Sequence, residues 1–145
     1  MAKAWLILLV SVSGFGASIV GVWKSDCQEV SNAEGCKSQA PVDTFSADGK
    51  ATLRIHVFEG SACNGKEWDT LIIPCTYDVG TEIPLLSHTR ELDLLCVLDG
   101  KTQNWYEIVE LLPQSIRYGD QTGLVPEDRP KSLGNVNYQR LGSMY

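Results

Sequence analysis

Histidine is scarce in this sequence, with two in 145 residues, and the five cysteines never fall at a C-x-x-C spacing. H-x-x-x-H is missing as well, so the usual zinc ligand sets are not present and no metal is expected. Basic side chains are in deficit, 12 Lys and Arg against 18 Asp and Glu. The resulting net charge of -6 opposes binding to phosphate backbones and anionic lipid surfaces, and no nucleic-acid partner is expected. No Gly-x-Ser-x-Gly elbow, P-loop, His-Glu-x-x-His or Gly-x-Gly-x-x-Gly occurs. His56 alternates with the apolar side of its segment and reads as a surface or rim residue. Ser87 and His88 are adjacent, and neighbours in a strand face opposite sides, which makes a poor dyad. The chain is therefore expected to be no enzyme and to carry no cofactor.

One apolar run does occur, and it lies at the start. Lys3 precedes Trp-Leu-Ile-Leu-Leu-Val-Ser-Val at 5–12, and small residues follow at Gly14, Gly16, Ala17 and Ser18. This is the pattern of a secretory signal peptide over residues 1–18, leaving one domain over 19–145. The run is well short of the roughly 20 residues that span a bilayer, and no second one approaches that length. The mature chain is therefore expected to be secreted or periplasmic, without membrane insertion. Without Lys3 it holds 11 basic and 18 acidic side chains, a net charge of -7.

Cysteines in an exported chain are expected to be oxidised in pairs. An odd count leaves one over. The short polar stretch between Cys27 and Cys36 can fold back on itself, so that pair is expected, with a second drawn from Cys63, Cys75 and Cys96.

Helical periodicity is weak throughout, while short alternating segments recur about every ten residues between turn signals. That spacing predicts an all-β sandwich or barrel. Strands are expected at 20–25, 44–46, 51–58, 68–77, 90–98, 103–112, 115–118 and 135–141. Residues 51–58 alternate Leu53, Ile55 and Val57 with Thr52, Arg54 and His56, the period of a half-buried strand. Asp48-Gly49 and Asp99-Gly100 are hairpin signals. Pro74 lacks a ladder donor, which implies an edge or a bulge. Eight strands joined mostly by hairpins close most simply into an eight-stranded up-and-down antiparallel barrel, which leaves no unpaired edge. A Greek-key β-sandwich is the alternative.

Two local patterns carry a family resemblance. Gly21-Val22-Trp23 stands just after the leader, and Asn137-Tyr138-Gln139-Arg140 places an arginine in the last predicted strand. The first resembles the G-x-W element that opens the lipocalins and their calycin relatives, and the second resembles the arginine that covers its tryptophan. The chain thus resembles a small, divergent, bacterial lipocalin-like protein. The resemblance implies structural roles for Trp23 and Arg140, with the guanidinium stacked on the indole, a contact worth roughly 0.5–2 kcal/mol.

Candidate ligand-binding residues follow from the aromatic and aliphatic placements. Trp105, Tyr106, Tyr118 and Tyr138 lie in the late strands, and Leu53, Ile55, Val57, Leu71 and Ile73 in earlier ones. They can line an apolar cup with a few hydroxyl handles, or pack solid. The first case gives an exported lipocalin-like protein that binds a small hydrophobic molecule. The second gives a secreted interaction module or inhibitor acting on a protein partner through disulfide-held loops. N-terminal sequencing of the secreted protein is expected to begin between Ala17 and Gly21, and an intact Met1 would remove the case for export.

Overall fold

The computed structural model describes residues 17–30 and 38–142. Of the expected leader, only Ala17 and Ser18 fall among them. Period-two alternation drives most of this chain into strands: β1 (Gly21–Ser25), β2 (Gln28–Glu29), β3 (Ser38–Phe45), β4 (Lys50–Phe58), β5 (Glu67–Glu82), β6 (Thr89–Leu98), β7 (Lys101–Leu111), β8 (Ser115–Tyr118) and β9 (Tyr138–Arg140). A short 3-10 turn, Pro126–Asp128, interrupts the connection between β8 and β9. Among the described residues no helix is long and apolar enough to cross a membrane.

Every named pairing is antiparallel, and β1 contacts both β9 and β3, so the ladder returns to its start. The result is a closed eight-stranded up-and-down barrel, not the two-layer sandwich. The short β2 continues β1 along β3. Lys24 lies opposite Val42 and Gln28 opposite Gln39, so three residues on one strand face two on the other. This is the count of a β-bulge, which bends the strand and turns Cys27 out of the ladder. Pro41 of β3 lies opposite that bulge, where its missing N–H leaves no gap in the ladder.

The hairpin at Asp99-Gly100 forms as predicted, with Leu98 opposite Lys101. Both turn residues have positive φ, 54° and 76°, the backbone twist that matches flanking strands. Pro74 meets its expectation in an unforeseen way. The β5–β6 ladder begins at Cys75 opposite Cys96, so residues 67–74 are paired with β4 alone. Pro74 stands where that ladder stops, and the β4–β5 arm projects beyond the β6–β7 turn.

The disulfide expectation needs correction. Cys27 is bonded to Cys63, 36 residues away, and not to Cys36, which lies outside the described residues. Pairing of β3 with β4 carries the β4–β5 loop across the outer side of β3, where Ser38 Oγ accepts from the Cys63 N–H at 2.9 Å and donates to Gly60 O. That loop meets the bulge. The second disulfide, Cys75–Cys96, joins directly opposite residues of β5 and β6.

The lower half of the barrel is packed solid. Trp23, Phe45, Leu92, Val109 and Ile116 are fully buried there, and Tyr77 meets Phe45 edge-on at 5.0 Å. Arg140 lies opposite Trp23 in the β1–β9 ladder, and its guanidinium carbon sits 4.2 Å from the indole centroid. Its N–H groups donate to Val20 O, Ser18 O and Pro113 O. The indole N–H donates to Ile19 O at 2.8 Å. A side chain at Gly21, where φ is +151°, would put its Cβ 2.5 Å from Arg140 Nη1. Trp23→Ala is expected to destabilise by roughly 3–5 kcal/mol, the range for emptying a large buried aromatic site. Chemical denaturation checks it, and an unchanged midpoint would contradict the packing described.

Candidate functional site

Above this packed floor the barrel is hollow. A cavity of about 280 Å³ is walled by Leu53 and Ile55 of β4, Ile73 of β5, Leu94 of β6, Trp105 of β7, Tyr118 of β8 and Tyr138 of β9. Alternation on each strand aims these side chains inward, and Tyr118 meets Tyr138 edge-on at 5.0 Å. Of the nine residues expected to line a cup, the fold thus gathers Leu53, Ile55, Ile73, Trp105, Tyr118 and Tyr138.

The other three stand elsewhere. Val57 and Leu71 share the register of the inner face, Leu71 opposite Ile55, but lie farther along the projecting arm and do not wall the cavity. Leu71 is 42% exposed. Tyr106 corrects a pattern error: it neighbours Trp105, and two successive strand residues cannot both face inward. It packs on the outer side beneath Arg129, whose guanidinium carbon is 5.5 Å from its ring centroid. Arg129 also pairs with Asp93 at 2.8 Å and donates to Glu107 O at 2.8 Å, holding the β8–β9 connection against the wall. His56, on the outer face of β4, contacts Glu67 at 3.3 Å.

Polar wall residues were not foreseen. Gln28, Gln39, Asp43, Glu107 and Thr122 all line the cavity. The signal lay in the register: Asp43 alternates with Pro41 and Phe45, and Glu107 with Trp105 and Val109, so each acid occupies an inward position. Asp43 is 5% exposed, and the Tyr118 hydroxyl donates to its Oδ2 at 2.8 Å. Burial pushes the Asp43 carboxyl up to about 7, against the opposing hydrogen bond from Tyr118. Glu107 is 6% exposed, and its carboxylate accepts from Thr122 Oγ1 at 2.8 Å and from the N–H groups of Gly119 and Ile108. Burial again dominates and raises this carboxyl to about 7 despite those three donors. Burial, followed by the charge of Asp43, drives both the Tyr118 and Tyr138 hydroxyls upward.

No protein-family model, curated protein or solved structure matches the chain. The site therefore has to be read from its own chemistry: a small apolar and aromatic chamber with two buried acids in its wall.

Those acids make stability depend on pH. Each folded-state pKa lies above its ordinary value, so between about pH 4 and 7 the folded chain holds more protons than the unfolded one. Their contribution is full below that window and is lost as pH rises through 7, by up to about 1.4 kcal/mol per pH unit for each group. Asp43→Asn is expected to raise the melting temperature at pH 8 and to lose that advantage at pH 4, as followed by calorimetry.

Proposed function

We propose that this chain is an exported lipocalin-like barrel that carries or senses a small hydrophobic molecule in its cup. The single observation that carries the reading is the hollow upper half, walled by apolar and aromatic side chains over a packed floor. A rigid chamber of that make-up is the usual form of a small-molecule site. The Trp23–Arg140 stack supports the lipocalin kinship, since it joins the residues whose pattern first carried that resemblance. Two disulfides support an oxidising compartment, in keeping with export.

One observation favours the interaction-module reading. Trp68 and Ile72 are 51% and 54% exposed on the projecting arm, beside the stretch of β5 that has no β6 partner. A bare strand edge with apolar side chains is a natural template for another chain.

A neutral fluorophore separates the two readings. 4-(Dimethylamino)benzonitrile, a single-ring probe of the size the chamber can hold, is expected to change its emission saturably at one molecule per chain. Leu53→Trp, which fills the chamber from its wall, is expected to abolish the signal while far-UV circular dichroism stays unchanged. Absence of saturable binding to the native chain would overturn the carrier reading.

A further inference from the structure

We propose that the cup selects an organic cation, an apolar body of about one aromatic ring carrying a protonated amine held against Asp43. This rests on the carrier reading and narrows it to one ligand class. The wall is electrically one-sided. Its described residues include two acids, Asp43 and Glu107, and no Lys, Arg or His. β4, β5 and β6 give only Leu53, Ile55, Ile73 and Leu94 to the cavity.

The two acids are not equivalent. Both Glu107 oxygens are engaged, Oε1 by the Gly119 and Ile108 N–H groups and Oε2 by Thr122, so Glu107 braces the chain after β8 and lends the chamber charge. Asp43 has one oxygen engaged by Tyr118, and among the described residues nothing hydrogen-bonds the other. A carboxylate that is 95% buried, lines a cavity and keeps an unused acceptor is unfavourable until a donor or positive charge arrives. An ammonium group supplies both. The rings of Trp105, Tyr118 and Tyr138 add faces that attract a cation.

Size and sign disfavour the common alternative, a fatty acid. An apolar cavity of about 150 Å³ holds benzene. The 280 Å³ here therefore accommodates a ring with a short arm and is too small to enclose a long acyl chain. A ligand carboxylate would face two acids of its own sign. The other titratable groups facing Asp43 are Tyr118 on β8, Tyr138 on β9 and Glu107 on β7, with Asp120 beside Glu107. None of these supplies a positive charge, so the ammonium must displace the Asp43 proton when it binds below pH 7.

Calorimetry with three probes of equal length tests the proposal: 2-phenylethylamine, 2-phenylethanol and phenylacetate, each titrated into the disulfide-intact chain. At pH 8 the amine is expected to bind at least tenfold more tightly than the alcohol, with phenylacetate weakest. Amine affinity is expected to fall up to tenfold per pH unit below 7, while that of the alcohol stays level. Asp43→Asn is expected to abolish the amine's advantage, so that the amine and the alcohol bind that variant with like affinity. Tyr118→Phe removes a hydrogen bond that favours the charged carboxylate, so the midpoint of the amine's pH profile is expected to move upward. That variant gives a readout should Asp43→Asn fail to fold. An alcohol that binds as tightly as the amine overturns the cation proposal and leaves the carrier reading standing. Failure of all three probes together with the neutral fluorophore overturns both.

Discussion

The guanidinium of Arg140 lying across the indole of Trp23 is the contact on which the rest of the barrel depends. It joins the first strand to the last, at the seam that local hairpins cannot close. β1 and β9 share only three residue pairs, so the ladder there is short, and side-chain contacts must complete the join. Arg140 does so by donating to carbonyls on both sides of it, Ser18 and Val20 before β1 and Pro113 between β7 and β8. A planar group with a fixed fork of donors suits this position, since one face can stack while the edges hydrogen-bond. The floor thereby becomes a rigid plug. Above it the walls can diverge without loss of closure, and a chamber results.

That division of labour explains how a small barrel can spare interior space. The base supplies the apolar burial, through Phe45, Leu92, Val109 and Ile116. Covalent links then reinforce the upper walls. Cys75–Cys96 pins β5 to β6 where their ladder ends, and Cys27–Cys63 ties the bulged first strand to the β4–β5 loop. Cross-links of this kind limit the freedom of the unfolded chain, which lets a small barrel leave part of its core unfilled.

Much of this architecture was legible in the sequence, and for a physical reason: period-two alternation survives wherever one side of a strand faces the core. Residues 51–58 and 90–98 show it plainly, and the strands there match closely. β3 was read as only three residues because Pro41 and the polar run before it mask the pattern. The bulge opposite removes the need for the donor that proline lacks. β5 runs on to Glu82 through Gly80, which reads as a turn, since the register shifts there and the glycine packs against Glu91. Disulfide partners were hidden because loop proximity is set by strand register and not by separation along the chain. In the chamber, the apolar wall residues were visible as patterns, whereas nothing in the sequence marked Asp43 and Glu107 as wall residues until closure of the cylinder enclosed them.

The walls are also unequal in height. β4 and β5 rise past the turn at Asp99-Gly100, leaving a tall screen on one flank and a low sill on the other. The rim of the chamber is therefore uneven, and the length of one hairpin sets its height on that flank.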